Sequence, residues 1–398
     1  MKIRIIGLLL SVCLLLSACS IGIPAKLEET KPTEPATQPQ EQETLAIQPQ
    51  EQETQPVEQK RPTPGPVFDK IPSMEDYYQY GNMQTNIGSG DFLLYKDQVV
   101  FDAVAEHFLY AYDLRTGQVR YFCDKTGCDH TGDNCQFVDI GYWNFEQYGG
   151  KYYSRYEGSA VCVLENGKWE KTTGRGKRFW HANGDLFVLN QDWDLQVYAN
   201  GQGEPKTLVE DFGTYQNVVF DNYVYGNNNS TLYRVDLNAE NCVRETVLEK
   251  VFPKVDGDHI YCVDYYYDEE AQKGGGTYYL YRTDMDGNNK EMLLETPVLP
   301  ASLNFDDDYV YFRQFRGYKI ENTVDSRDIY RMSKKDPTKI EKIATLPEDV
   351  FQIFTVPGVD ILFVTGNIYD NDYGVQKQSI YVMNTDGSNL VQLEIPGF

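Results

Sequence analysis

Basic charge is scarce in this 398-residue chain, which has 36 Lys and Arg residues against 60 Asp and Glu residues and a net charge of −24. A protein that binds nucleic acid needs a basic face to neutralise phosphates. The balance of charge therefore argues against nucleic acid, and we expect no such partner. Acidic charge of this kind mainly promotes solubility.

Motifs for catalysis are also missing. The chain has no Gly-x-Ser-x-Gly elbow and no Gly-rich phosphate loop followed by Lys-Ser/Thr. "DMDGNNKE" (284–291) and "YDNDYG" (369–374) lack the full twelve-residue calcium loop and are interpreted as hairpin turns. No catalytic residue is predicted, although a glycosidase-type carboxylate pair stays open because acidic residues are abundant and no spacing selects two of them.

No apolar run is long enough for a comfortable transmembrane helix. The longest, "IIGLLLSVCLLLSA", follows Lys2 and Arg4 and ends at Cys19, which is the pattern of an export signal. Leu16-Ser17-Ala18-Cys19 resembles the lipobox of bacterial lipoproteins. The resemblance implies a signal peptide over 1–18, cleavage before Cys19 and lipidation of its thiol, which would anchor the chain to the outer face of the cell membrane. The alternative is an ordinary secretory signal.

Residues 20–66 contain no aromatic residue and repeat "QPQEQET" at 38–44 and 48–54. A segment rich in Pro, Gln, Glu and Thr cannot bury enough apolar area to offset the entropy of the chain. We therefore predict that the lipidated Cys19 and a disordered linker occupy 19–66, that a lead-in segment occupies 67–87, and that a folded domain occupies 88–398.

The folded domain shows few helical patterns and instead repeats two short strand patterns. The first is an acidic or glycine turn followed by an aromatic and aliphatic strand: "NGDLFVL" (183–189), "FDNYVYG" (220–226), "DGDHIYCV" (256–263), "DDDYVYF" (306–312) and "PGVDILFV" (357–364). The second is a strand that runs into a tight turn: "FLYAYDLRTG" (108–117), "AVCVLENG" (160–167), "LYRVDLN" (232–238), "LYRTDMDG" (280–287) and "IYVMNTDG" (380–387).

These repeats predict an all-β fold, a β-propeller of about seven four-stranded blades that start near 88, 137, 178, 212, 251, 298 and 347. A small twisted sheet cannot cover both of its faces, but a closed ring of sheets covers each face with its neighbour. Since the second and third units are the least regular, six or eight blades stay open.

The "LYRTDMDG" and "IYVMNTDG" units resemble the repeats of TolB-like and YWTD-like propellers. The whole chain is similar to a group of lipoproteins of Gram-positive bacteria that carry a propeller domain of unknown function. The resemblance implies a fold and says almost nothing about activity. The YWTD tetrapeptide itself is absent, so receptor-type ligand binding is not expected.

Three cysteines and a histidine lie close together in "FCDKTGCDHTGDNC" (122–135). We expect "VRYFC" (119–123) to end the outer strand of the first blade and the cysteine loop to lead to the second. Cys123, Cys128, His130 and Cys135 can complete the tetrahedral shell of one structural zinc ion. A disulfide within Cys123, Cys128 and Cys135 is the alternative, because exported proteins often meet oxidising conditions.

Isolated residues outside this loop are expected to be structural. Cys162 and Cys262 are predicted to be small buried residues, and His181 in "FWHANGD" a packed or surface residue. The aromatics of "GYWNFEQY" (141–148) could stack on sugar rings at the propeller mouth, but packing between blades is favoured.

The sequence therefore predicts an extracytoplasmic lipoprotein whose propeller binds a ligand or scaffolds an envelope complex. The membrane, through the lipid anchor, and a cell-wall glycan or an envelope protein are the expected partners. The alternative is an enzyme that processes extracellular glycans or peptides on the same scaffold. An enzyme would gather several carboxylates with perturbed pKa values in the central mouth, whereas a binding protein would show aromatic and neutral polar groups.

Overall fold

The computed structural model describes most of the region 92–396. It leaves gaps at 96–97, 103–108, 124–126, 129–140, 150, 157–159, 166–167, 215, 229, 257, 265–278, 295, 316–323, 356–359 and 371–373. The predicted signal peptide, linker and lead-in segment lie outside the described residues.

Short runs rich in Val, Ile, Tyr and Phe form 28 strands in the described residues, because branched and aromatic side chains suit a pleated, half-buried surface. The first four sheets contain β1 Phe92–Tyr95, β2 Gln98–Asp102, β3 Leu109–Asp113, β4 Val119–Tyr121; β5 Gly141–Tyr148, β6 Lys151–Tyr156, β7 Ala160–Glu165, β8 Lys168–Arg175; β9 Arg178–Ala182, β10 Asp185–Leu189, β11 Leu195–Tyr198, β12 Lys206–Val209; β13 Gln216–Phe220, β14 Tyr223–Asn227, β15 Thr231–Asp236, β16 Glu245–Glu249. The last three contain β17 Val251–Val255, β18 Ile260–Asp264, β19 Leu280–Thr283, β20 Glu291–Met292; β21 Asn304–Phe305, β22 Tyr309–Phe312, β23 Asp328–Ser333, β24 Ile340–Thr345; β25 Asp349–Thr355, β26 Ile361–Asp370, β27 Gly374–Asn384, β28 Val391–Gln392.

Each sheet is a four-stranded antiparallel meander built from four consecutive strands, and the seven sheets are the blades of a ring. The prediction of a seven-bladed propeller is confirmed, and the alternatives of six or eight blades are wrong. The first strands begin at 92, 141, 178, 216, 251, 304 and 349, within a few residues of the predicted starts. No helix among the described residues has the length and apolar character needed to span a bilayer.

The core lies between neighbouring blades, where apolar side chains of two sheets form one cluster. Between blades 5 and 6, for example, the rings of Tyr261 and Phe305 lie 5.7 Å apart in a cluster that also contains Val310 and Met332. Each blade thereby shields the inner face of the next, which is the physical reason for a ring.

The ring closes without exchange of a strand, because the first and last blades are each built from one continuous stretch of chain. Phe363 of blade 7 meets Tyr112 of blade 1 edge to face, with ring centroids 5.4 Å apart. The hydroxyl of Tyr121 donates to the carbonyl oxygen of Pro396 at 3.1 Å. Closure therefore depends on apolar packing and on the C-terminal segment that lies against blade 1.

The meander gives the propeller two different ends. Turns between first and second strands, and between third and fourth strands, lie at one end, which we call the turn face. Connections between second and third strands, and from each fourth strand to the next blade, lie at the opposite end. The strand Val119–Tyr121 is the fourth strand of blade 1, as predicted, so the cysteine loop begins at that opposite end.

The prediction that the isolated cysteines are buried is confirmed. Cys162 and Cys262 are fully buried in the third strand of blade 2 and the second strand of blade 5. Burial raises the pKa of the Cys262 thiol far above its usual value, so this residue behaves as a small apolar side chain.

Candidate functional site

An arginine on the third strand joins each of blades 4, 5 and 6 to the blade that follows. Arg331 donates through Nε to Glu341 on its own blade at 2.5 Å, and through Nη1 to the carbonyl oxygen of Thr385 in the next blade at 2.9 Å. Its guanidinium lies 4.4 Å from the ring centre of Tyr309. We call this arrangement the arginine clasp. Arg282 donates in the same way to the carboxylate of Glu291 and to the carbonyl oxygen of Lys334. Arg234 donates to the carboxylates of Glu245 and Asp286.

In blades 5 and 7, the turn that receives the clasp contains the Asp-Gly part of the repeat, whereas the corresponding turn of blade 6 is "SKKDPTK" (333–339). The Asp284 carboxylate accepts the backbone N–H groups of Asp286 and Asn288 at 3.0 and 2.8 Å, which confirms that "DMDGNNKE" is a hairpin turn. Gly387, with φ of +84°, occupies the corresponding turn of blade 7. A Cβ atom there would lie 2.0 Å from the carbonyl oxygen of Ile343, so only glycine lets this turn press against blade 6.

Blade 2 lacks the arginine clasp, as do blades 1, 3 and 7, which have Ala111, Val197 and Val382 at the same position. In blade 6 the register pairs Tyr311 with Arg331, and Arg331 with Glu341. In blade 2 the same register pairs Tyr153 with Val163, and Val163 with Glu170. The tyrosine and the glutamate are retained, but a valine stands where the arginine would reach across to blade 3.

The turn of blade 3 that faces this valine also departs from the repeat. Ala199 occupies the place of Asp284, and the carboxylate of Asp185 on β10 instead accepts the backbone N–H of Asn200 at 2.9 Å. Gln202 occupies the place of Gly387 and has extended backbone, with φ of −140°. Because the turn has a different conformation, it cannot press against blade 2 in the way that Gly387 presses against blade 6.

A third departure is His181 on the first strand of blade 3. By register it corresponds to Phe305 of blade 6, an apolar residue that packs against a tyrosine of the preceding blade. The imidazole of His181 packs in the same way, 4.2 Å from the ring of Tyr153, and stacks almost parallel to Tyr148 at 4.8 Å. His181 is 7% exposed, as expected for a packed residue.

These three departures lie around one cleft between blades 2 and 3, with a volume of about 530 Å³. Its walls are formed from both blades by Tyr148, Lys151, Tyr153, Val163, Glu165, Lys171, Thr172, Thr173, His181, Gly184, Leu186, Asn200, Gly201, Gln202 and Gly203. Most of these residues belong to the turn face or lie close to it. The cleft occupies the place where the arginine clasp joins later blades.

Two polar contacts fix the rim of this cleft. Lys151 Nζ lies 2.5 Å from Glu165 Oε1, and this hydrogen bond raises the pKa of the lysine. The hydroxyl oxygen of Tyr148 accepts the backbone N–H of Gly184 at 2.7 Å, which ties the first turn of blade 3 to blade 2. The cleft therefore has defined walls although its interior is open.

A valine at the clasp position does not by itself produce a cleft. Val382 stands at the same position in blade 7, but it is fully buried in an apolar cluster with Tyr112, Phe101 and Leu393. At the interface of blades 2 and 3, the turn residues Asn200 to Gly203 provide no comparable apolar side chain. The space stays open because neither the valine of blade 2 nor the turn of blade 3 supplies a side chain that fills it.

The predicted metal or disulfide site is described only in part. Cys123 and Cys128 are half-buried just beyond the fourth strand of blade 1. His130 and Cys135 lie outside the described residues, as does Cys19. Within the described part of the chain, no group of three His, Cys, Asp or Glu side chains is arranged to hold a metal ion. The zinc and disulfide hypotheses therefore both stay predictions.

Carboxylates at the first turns of blades 5 and 6 are engaged in local structure. Burial raises the pKa of Asp306, whose carboxylate accepts the hydroxyl of Tyr311 at 2.5 Å and the backbone N–H of Tyr309 at 2.7 Å. The Asp256 side chain is 5% exposed and pairs with Lys334 at 2.9 Å. Both carboxylates hold turns and strands together and have partners for this purpose.

Reasoning from the sequence did not identify the cleft. The aligned third strands carry part of the signal, because "LYRVDLN", "LYRTDMDG" and "IYRMSKKD" share an arginine where "AVCVLENG" has Val163, but Val197 and Val382 stand at the same position in blades 3 and 7. Tyr148 was expected to pack between blades and His181 to be a packed or surface residue; both pack, and both also line the cleft.

No protein-family model matches the chain, and no curated protein is similar enough to count as a relative. Among solved structures, the computationally designed Ika8 protein is 11% identical with a TM-score of 0.40, and the match covers 80% of this chain and 97% of that one. An oligogalacturonate lyase in complex with manganese is 14% identical with a TM-score of 0.37, and the match covers 62% of this chain and 71% of that one. Neither similarity bears on what this chain binds.

Proposed function

We propose that this chain is a lipid-anchored, extracytoplasmic binding protein of the TolB-like propeller lipoproteins, and that its ligand occupies the cleft between blades 2 and 3. The lipobox-like Leu16-Ser17-Ala18-Cys19 supports the anchor, and the linker composition of 19–66 supports a tether between membrane and propeller. The "LYRTDMDG" and "IYVMNTDG" repeats support membership of the TolB-like propellers.

The observation that carries the proposal is the coincidence of three departures from the repeat at one blade interface. Val163, His181 and Gln202 stand where Arg331, Phe305 and Gly387 make contacts between blades 5, 6 and 7. An open space costs stability, because its walls lose packing contacts. Sites that depart from a structural rule in this way are typically functional.

Binding is favoured over catalysis by the chemistry of the walls. The carboxylate of Glu165 is paired with Lys151 on the rim, and the acidic residues Asp256 and Asp306 lie at other blades, where Lys334 and Tyr311 are their partners. The remaining polar groups of the cleft include hydroxyls and amides, which orient a ligand through hydrogen bonds.

The cleft is tested by Val163→Arg, which places an arginine opposite Glu170 and so installs the clasp of blades 4, 5 and 6. A thermal-shift screen of the full chain against sugars, peptides, amino acids and nucleosides should give ligands that raise the melting temperature of the wild type but not of this variant. Val243→Arg is the matched control, since Val243 is 60% exposed in blade 4. A screen in which every stabilising ligand also stabilises Val163→Arg would contradict the proposal.

Anchoring is tested separately by Cys19→Ser. The wild-type chain should be recovered in the membrane fraction, whereas the variant, which lacks the thiol for acylation, should be released into the medium. If the variant stays with the membrane at the level of the wild type, Cys19 is not the anchor.

A further inference from the structure

We propose that the ligand of the cleft is a neutral oligosaccharide, an inference that rests on the function proposed above. It is drawn from the polar groups, the rings and the shape of the walls. A charged ligand, a peptide and a glycan require different walls.

The charges of the rim argue against a strongly charged ligand. Lys151 and Glu165 lie opposite each other on neighbouring strands and are 2.5 Å apart. The third charged residue of the walls, Lys171, also has a partner. An anionic or cationic ligand that used Lys151 or Glu165 would have to break their pair, and the displaced partner would lose its hydrogen bond. A ligand without charge leaves the pair intact.

Neutral polar side chains supply the complementary hydrogen bonds. Thr173, Asn200 and Gln202 are exposed, line the cleft and make no side-chain hydrogen bond to any residue that the structure describes. A hydroxyl and an amide each offer both a donor and an acceptor. Sugar hydroxyl and acetamido groups have the same double character, so they match this set without any change of protonation.

The ring residues supply apolar contact beside those polar groups. Tyr148 and Tyr153 are half-buried, and Val163 and Leu186 continue the apolar wall on either side of them. Tyrosine provides a rigid apolar surface with one polar tip. A pyranose ring presents C–H groups on its faces and hydroxyls around its edge, which is the arrangement that such a wall accommodates.

The shape of the cleft favours a ring over an extended chain. A Cβ atom on Gly184 or Gly203 would meet nothing within 4 Å, so the backbone on the side of blade 3 is open to close approach. An extended peptide would instead need the free edge of a strand for its backbone hydrogen bonds. Of the strands that line the cleft, β6, β7 and β10 are paired on both sides, so a peptide backbone could pair only with an edge strand such as β8, which contributes Lys171, Thr172 and Thr173.

The experiment is isothermal titration of the full chain in detergent micelles with two probes of equal length, the neutral trimer of N-acetylglucosamine and the anionic trimer of galacturonic acid. The neutral trimer should bind the wild type and Val243→Arg but not Val163→Arg. Gln202→Ala should weaken its binding about 3- to 10-fold, the effect of one lost hydrogen bond. Raising the salt concentration should leave the affinity nearly unchanged, since no charge is involved.

The outcomes separate this inference from the proposed function. Preferential, salt-sensitive binding of the anionic trimer that is lost in Val163→Arg would overturn the neutral class while leaving the cleft as the site. If neither trimer binds, and other ligands bind the wild type but not Val163→Arg, the proposal that the ligand is a glycan is overturned. Equal binding of the neutral trimer by the wild type and Val163→Arg would place the glycan elsewhere and overturn the assignment of the cleft.

Discussion

Lys254 is buried in the first strand of blade 5, and its replacement by methionine should stabilise the propeller. The residue is 6% exposed and pairs in register with Tyr261. Its ammonium makes no hydrogen bond or ion pair with any residue in the described part of the chain. Asp256, two residues further along, is paired with Lys334 instead.

The magnitude follows from the pKa of this lysine, which burial lowers from 10.5 to about 8. The difference of about 2.5 units, at about 1.4 kcal/mol for each, corresponds to a penalty of ~3 kcal/mol for keeping the ammonium charged inside the fold. Because the folded-state pKa is depressed, the unfolded chain binds more protons between pH 8 and pH 10.5. The penalty is therefore fully present below about pH 8 and is lost as the pH rises toward 10.5.

Urea unfolding followed by tryptophan fluorescence measures the effect on a Cys19→Ser background. Lys254→Met should raise the free energy of unfolding by up to ~3 kcal/mol at pH 7, and the gain should shrink by pH 10. Lys335→Met is the control, because its side chain is 81% exposed and an ion pair in solvent, such as that with Asp308, adds little to stability. A loss of stability in Lys254→Met at pH 7, or a gain that is the same at pH 10, would refute the reasoning.

Two further predictions concern the arginine clasp and the cysteine loop. Arg331→Met removes the contacts to Glu341 and Thr385 and should lower the free energy of unfolding by about 1–3 kcal/mol, whereas Lys339→Met, at an exposed ion pair, should change it by less than about 1 kcal/mol. Equal effects in urea unfolding would show that the clasp does not hold blades together. For Cys123, Cys128, His130 and Cys135, we expect elemental analysis to find one zinc per chain and thiol counting to find no deficit after denaturation with chelator. Absence of metal together with two missing thiols would identify the disulfide instead.

The blades could be predicted from the sequence because their information is local. Alternating strands, Asp-Gly and Asn-Gly turns and the recurring Tyr233, Tyr281, Tyr330 and Tyr381 mark the same strand in successive blades. Each blade is a meander of adjacent segments, so a local pattern is enough to define its strand order. Even the irregular second and third units were assigned close to their observed starts.

The cleft could not be predicted in the same way, because its walls come from residues far apart in sequence. Val163 in β7 faces the turn that contains Gln202 and lies near His181 in β9. Each substitution is unremarkable by itself, and Val382 shows that a valine at the clasp position is compatible with a closed interface. What matters is that no apolar side chain fills the space from the opposite blade.

The sequence alone determined the four-stranded blades, their order and the residues that shape their turns, and it indicated about seven of them, since hydrogen bonding and burial within a meander depend on neighbouring segments. Only the tertiary structure decided which interface is clasped, which is filled and which is open. Those properties depend on side chains that meet across two sheets. Whether they fill the space or pair their charges depends on the residues of both blades together.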